Sequence, residues 1–418
     1  MTVFLSFPAS SRRRKGTLPS PILIAVAGAA SLAVAMGIGR FAFTPLMPMM
    51  LHDGVLDIGG GSSLASSNYL GYLAGAMLCM GLPKVWSSTT LIRLSLLATI
   101  LLTLAMAIPL QGLWLAFRFL AGAISAIAFV YTAGWSLTEL SHREASHLGG
   151  IVFSGPGAGI ALSGIVATSM IAAGWTSQLG WVGFALLAFV ISGTVWPVFS
   201  VRTRGHAQPA VHREPVKQHP AEMMVFALAY GLAGFGYIIT ATFLPVMAHE
   251  ELPPSIWLDM FWPIFGLAAV VGCFIATRVV SRFDPRLLLV GAYLLQALGV
   301  ILVLPFQTVS GFAMSSLLVG LPFTAINFFA MKEVQRLRPH HVARFMGMLT
   351  ALYSIGQIAG PPIVSQFLKA TSTPIEGFDL ALTVAACALA LGAALYVFMF
   401  FAWPMGPNAP ESKTPQIP

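Results

Sequence analysis

Of the 418 residues, 57% are hydrophobic and only 9% are charged, a balance that cannot cover a water-facing surface and excludes a soluble enzyme. At about 20 apolar residues per crossing, such a chain supplies about a dozen membrane-spanning helices and leaves little for a separate domain. The formal charge of +8, from 22 Lys and Arg against 14 Asp and Glu, would suit nucleic acid only if the basic residues clustered on a folded surface.

The chain begins with Arg12, Arg13, Arg14 and Lys15 ahead of an apolar run. That run, at about 30 residues, is too long for the apolar core of a secretory signal, so an uncleaved first span is expected. Twelve spans follow from the apolar runs. The first six are 22–51, 64–83, 94–110, 112–138, 148–173 and 180–200; the second six are 223–248, 260–277, 287–305, 311–331, 345–368 and 380–403. The runs are apolar all round, whereas strands of a membrane barrel alternate apolar and polar residues. The long polar stretch, RTRGHAQPAVHREPVKQHPAE, makes 201–222 a linker between two six-helix bundles. The expected organisation is a basic N-terminus (1–21), a first bundle (22–200), the linker, a second bundle (223–403) and a tail (404–418). Cys79, Cys273 and Cys387 lie in apolar runs without CxxC spacing, so no disulfide, metal or cofactor is expected.

With the N-terminus inside, nineteen of the 22 basic residues fall on the inner side, only Lys369 on the outer side, and Arg40 and Arg118 within spans. Acidic residues divide seven and seven, leaving +12 inside and −6 outside. This is the positive-inside pattern of a multi-pass protein of the bacterial inner membrane with both termini cytoplasmic, and it removes the case for nucleic acid.

A shift of 197 residues lays the first half on the second without a gap. Gly37, Gly39, Pro48, Met50 and His52 fall on Gly234, Gly236, Pro245, Met247 and His249, and Gly75, Gly150 and Gly159 on Gly272, Gly347 and Gly356. Two six-helix repeats of the same orientation imply a pseudo-twofold axis along the membrane normal, and alternating access by rocking one half on the other.

Over nearly its whole length the chain resembles the major facilitator superfamily. MGIGRFAFTPLMPMML followed by SSNYLGYLAG is similar, more narrowly, to the YbfB/YjiJ branch. Arg118 to Gly122 resembles the RxxxG motif of the fourth helix, and Ser154 to Gly159 part of the GPxxGG motif associated with exporters, with Ile160 in place of the last glycine. The loop after the second helix departs from the family pattern. Met80 to Lys84 has no acid, and its counterpart around Arg278, Ser281, Arg282 and Arg286 lacks the Asp of that motif, so a gating ion pair is not implied there. The resemblance implies an all-α fold of twelve transmembrane helices in two parallel six-helix repeats and a transport function.

Glu222 and His249 bound the seventh span, and the repeat places the matching limits of the first at positions 25 and 52; Arg40 lies 15 residues from the one and 12 from the other, about 22 and 18 Å along a helix. A guanidinium at that depth costs about 2.5–3.5 kcal/mol on insertion scales and should face a cavity or a partner. The alternative is a structural Arg bonded to carbonyls freed by Pro45 and Pro48. Arg118 begins a stripe with Gly122, Ser125, Phe129, Thr132, Ser136 and Glu139 at helical spacing, which reads as cavity lining. Snorkelling of Arg118 and simple helix packing are the alternatives. Tyr237, Asn327, Tyr353 and Gln357 are the candidate second-half contacts, with Tyr230 and, on the second helix, Asn68 and Tyr72 on matching faces. Glu139 is a candidate coupling group. Gly71, Gly75, Gly155, Pro156, Gly159, Gly356 and Gly360 are expected at packing and gating contacts where the halves rock.

Two intramembrane arginines without an acid in the middle of any span favour an anionic solute. The expectation is a monomeric secondary transporter of a small organic anion, contacting only solute and lipid. A proton-coupled exporter of drugs or metabolites is the alternative, suggested by Gly155 and Pro156. A non-transporting sensor is the alternative of another class, disfavoured because the longest soluble segment is the linker. An intramembrane enzyme is not expected, as there is no HExxH and no nucleophile elbow.

Overall fold

The computed structural model describes residues 19–81, 86–200, 220–253, 255–280, 282–338 and 342–404. The N-terminal basic cluster, Lys84, most of the expected linker and the tail lie outside them.

Apolar runs become helices because every main-chain polar group in a bilayer must be satisfied within its own segment. The first run is α1 (Pro21–Leu32), a π-helical turn (Ala33–Ile38) and α2 (Phe43–His52), which together form one broken rod. Then come α3 (Ile58–Gly81), α4 (Ser88–Ala105), α5 (Gln111–His142), α6 (Gly149–Ala172) and α7 (Ser177–Val195). The second half holds α8 (Pro220–Glu251), α9 (Phe261–Val279), α10 (Pro285–Ile301), α11 (Val309–Leu337), α12 (Val342–Ala370) and α13 (Pro374–Ala402). Side chains close several N-termini: Ser87 accepts the Thr90 N–H, Thr176 the Leu179 N–H and Thr373 the Glu376 N–H. Asp53 ties the end of α2 to the start of α7 by accepting the Ser177 N–H at 2.7 Å. Burial raises its carboxyl pKa, but the bonds from Ser177 and His52 outweigh that and hold it below the usual range.

Among the described residues nine helices are long and apolar enough to cross a membrane, and α10 is shorter. The remaining two, α3 and α12, have the length but carry Gly, Ser and Gln where the others carry aliphatic residues. Those polar positions belong to helices that meet each other between the halves. The peripheral helices do the opposite. Leu94, Leu97, Leu101 and Leu104 on α4 expose 44–56% of their surface along one face, the pattern of a helix that faces lipid.

The pseudo-twofold arrangement is explicit in the packing. The halves meet through α3 against α12 and α6 against α9, and the 197-residue shift exchanges these two pairs. The repeated glycines serve the same purpose twice. A methyl group on Gly159 would strike the Ala33 carbonyl and Gly37, and one on Gly356 would strike Gly231 and Gly234.

The expectation that these small residues line the rocking surface is corrected. Gly71 and Gly75 press α3 on α5, Gly155 and Gly159 press α6 on α1 and the π-helical turn, and Gly356 and Gly360 press α12 on α8. All six contacts lie within a half. Pro156 is buried inside α6. The surface between α6 and α9 uses glycines on another face: Gly157 meets Gly266, and Gly164 meets the Pro263 ring. Two glycines four apart define one face, and the residue two along turns by about half a circle on a 3.6-residue helix.

Gly71→Ala should therefore destabilise the folded protein by about 1–3 kcal/mol, the cost of overpacking, because its Cβ would collide with the Phe119 carbonyl. Gly134→Ala, on α5 with nothing within 4 Å of the new Cβ, should be neutral or stabilising. Thermal unfolding of the two purified variants tests this, and equal midpoints would deny the close approach of α3 and α5.

Candidate functional site

The site is built where the first span breaks. In the π-helical turn the Gly39 N–H bonds the Val34 carbonyl at 2.8 Å and the Phe41 N–H bonds that of Met36 at 3.0 Å, a residue further back than in an α-helix. Pro45 has no N–H to offer Phe41, whose carbonyl takes the Thr44 N–H at 3.1 Å instead. The Arg40 carbonyl is thereby released from the helix ladder.

Arg118 answers it. Its Nη2 donates to the Arg40 carbonyl at 3.0 Å and its Nη1 to the Gly39 carbonyl at 3.3 Å, with the Phe43 ring 4.8 Å from the guanidinium carbon. Only 2% of Arg118 is exposed. Where a cavity contact was expected, Arg118 spends two of its donors on main chain that the break leaves unpaired, while its Nε has no hydrogen-bond partner. The remainder of its stripe is inward-facing: Ser125, Thr132 and Ser136 are fully buried, and Gly122 abuts α3 at Asn68.

Arg40 is placed differently. It donates to Gln357 Oε1 on α12, and Gln357 Nε2 donates to the Tyr237 hydroxyl on α8. Aromatic rings surround the guanidinium, with Tyr72 at 4.0 Å, Phe41 at 5.0 Å and Tyr69 at 5.2 Å, close enough for cation–π attraction. Tyr69 in turn shares a hydrogen bond of 2.8 Å with Thr242 on α8, and Thr44 donates to the Ala241 carbonyl at 3.0 Å. That carbonyl is the one Pro245 releases from its helix, and it belongs to the repeat mate of Thr44.

The second half completes the cluster. Tyr237 stacks on Tyr353 at 5.6 Å and lies 5.0 Å from Phe323. Tyr353 is 5.0 Å from Tyr230, whose hydroxyl donates to Asn327 Oδ1. Arg40, Tyr237, Gln357, Tyr353, Tyr230 and Asn327 thus form one continuous set of contacts across the two halves. Sequence reasoning missed the ring of Phe41, Tyr69 and Phe323 and left Tyr72 out of the site. The three-residue spacing of Tyr69 and Tyr72 on α3 was the available signal. Arg40, Tyr69, Tyr72, Tyr230, Tyr237, Tyr353 and Gln357 are each no more than 8% exposed, so the site is closed to water from both ends.

No carboxylate pairs with Arg40 or Arg118 among the described residues. The acids lie at helix ends. Glu139, in the last turn of α5, is 3.7 Å from Arg143 and remote in sequence from the break. Glu222 and Glu333 both bind Arg336, joining α8 to α11. The second-half loop, lacking the family's Asp at its usual place, holds Asp284 instead, which caps α10 and pairs with buried Arg286 at 2.7 Å. Arg286 also donates to the Met399 and Trp403 carbonyls, so this ion pair fastens α10 to the end of α13.

Two related six-helix halves around a closed polar and aromatic centre define a multi-pass membrane transporter of the major facilitator class. Residues 32–397 match the family model described as "Uncharacterised MFS-type transporter YbfB", and the chain belongs to that family. Among solved structures it is similar to the nucleoside transporter NupG, crystallised as a point mutant, with a TM-score of 0.64 at 14% identity over 91% of this chain and 100% of that one; the likeness is one of fold. The comparison with curated proteins found no match.

Proposed function

We propose that the protein is a secondary active transporter that moves a small anionic organic solute across the bacterial inner membrane by alternating access, with both termini cytoplasmic and Arg40 as the anion contact. The observation that carries this reading is a buried guanidinium at the centre of the bundle whose partners among the described residues are a neutral amide and aromatic side chains, with no carboxylate. Such a group is satisfied better by a carboxylate, which offers it charge-assisted bonds. The rings of Tyr72, Tyr237 and Tyr353 supply apolar walls for the body of the solute. Because the site is closed in this form, a solute reaches Arg40 only when the contacts of α3 with α12 or of α6 with α9 part. That supports alternating access, with the Arg40–Gln357 bond as the cross-half link that a bound anion would replace. The placement of the membrane acids at helix ends favours this reading over proton-coupled export.

Thermal unfolding of the purified protein against carboxylates, organic phosphates, amino acids and lipophilic cations tests the proposal. A ligand at about 100 times its Kd adds about 2.7 kcal/mol to the folded state, so a carboxylate should raise the midpoint and then exchange in proteoliposome counterflow. Exchange of cationic dyes without exchange of any carboxylate would reject the anion reading.

A further inference from the structure

At the end of the bundle opposite the chain termini, the two halves join their first and last helices by different means. In the first half Gly54, in the left-handed region at φ +66°, turns the chain out of α2, and Asp53 accepts the Ser177 N–H at the start of α7. The 197-residue shift carries Asp53, Gly54 and Ser177 onto Glu250, Glu251 and Pro374. Glutamate is not suited to the left-handed region, and α8 runs on through Glu251. Pro374 has no N–H to offer a carboxylate. The N-caps alone are kept, Thr176 on α7 and Thr373 on α13.

A pair of carboxylates stands where that bond is lost. Both Glu251 oxygens and the Oδ1 of Asp379, in the second turn of α13, are shut off from solvent without a hydrogen-bond partner, and the charge of Asp379 acts on Glu251. Two carboxylates that share a site away from water repel one another, and with no donor to either the ionised pair is costly. The other charged groups of this end are engaged elsewhere or open to water. His249 Nε2 lies 3.6 Å from Asp259 on the turn before α9, Glu376 accepts the Ser372 N–H at 3.2 Å, and Glu250 and Lys369 are exposed. Glu251 lies beyond the apolar run that ends at 248, and Asp379 precedes the one that begins at 380. Burial, and after it the charge of Asp379, push the Glu251 carboxyl from its ordinary 4.5 up to about 7.

We propose that Glu251 and Asp379 form a proton-operated joint: with one proton between them the end of α8 is held on the start of α13, and with both ionised the two ends part. Closure is fully present below the ordinary value near 4.5 and is lost as pH rises through about 7. The first-half joint, whose Asp53 carboxyl is held below the usual range, does not change over that interval. Tyr237 stands on α8 about 21 Å from Glu251, so the joint sets the freedom of a helix that bears the central site, whichever solute that site takes.

Hydrogen exchange of the full-length protein in lipid nanodiscs, corrected for the intrinsic pH dependence of exchange, tests this. Protection of the end of α8 and the start of α13 should fall between about pH 5 and 7, by up to about tenfold per pH unit, the limit for one proton. The end of α2 and the start of α7 should stay constant. Glu251→Gln, which mimics the protonated group, should keep the second-half ends protected throughout, and Asp379→Asn should do so independently. Protection in the wild type that does not change with pH would overturn the proposal. A change that persists in both variants would also overturn it, by assigning the effect to other groups such as His249 and Asp259. Protection restored at high pH by added sodium or calcium ions would overturn it too, since the pair would then hold a metal cation.

Discussion

Arg40→Gln is expected to weaken carboxylate binding and exchange by about 30-fold to several thousandfold, while leaving the ligand-free protein as stable as before. Truncating one partner of a buried, hydrogen-bonded charge pair costs about 2–5 kcal/mol of affinity, which converts to that range of fold-change. The second half of the prediction follows from the same geometry. In the closed form Arg40 is 3% exposed with a neutral amide acceptor and three ring faces for company. Its charge has no carboxylate partner among the described residues, so a neutral amide in its place removes a desolvation cost together with the hydrogen bonds to Gln357 and Tyr72. Thermal unfolding with and without the stabilising carboxylate, followed by counterflow, reads both parts. Wild-type exchange in Arg40→Gln would demote Arg40 to scaffold, and loss of folded protein would assign it the structural role that the sequence left open.

Arg118→Gln should show the reverse order of effects. Two main-chain carbonyls, those of Gly39 and Arg40, lose their donor, and each buried acceptor left unpaired costs about 1–3 kcal/mol. The ligand-free protein should unfold at a clearly lower temperature. Binding should also weaken, because the Arg40 main chain is no longer held. Arg118→Lys should recover only part of the stability, since a single ammonium does not present the planar fork that spans two carbonyls. An unchanged ligand-free midpoint combined with lost affinity would return Arg118 to the solute. The two substitutions together separate a ligand contact from a positioning residue on the same break.

Much of this was legible in the chain. Composition and the spacing of apolar runs lead directly to membrane helices, because lipid leaves the main chain no other partner than itself. The duplication was visible as an identical 197-residue interval, and Gly37, Gly159, Gly234 and Gly356 occupy matching close contacts as that interval requires. Arg40 stood out because charge at that depth is costly enough to need a reason. Arg118 stood out for the same cause but with a different answer. Periodicity reports which face of α5 Arg118 occupies, and it holds no information about the carbonyl that Pro45, 73 positions earlier in the chain, releases opposite it.

The glycines show the same limit. A small-xxx-small pair states that a helix is approached closely, and it does not name the neighbour. Gly71, Gly155 and Gly356 sit against helices of their own half, and the seam between the halves uses Gly157, Gly164 and Gly266, whose pattern the same rule would have scored no differently. Class, helix count, repeat and the anomalous arginine are local or periodic properties, and the amino-acid order determined them unaided. Which arginine is bonded to main chain and which glycines lie between the halves were decided by helix-to-helix contacts between residues far apart in the chain, because partners for hydrogen bonds and packing are chosen in space.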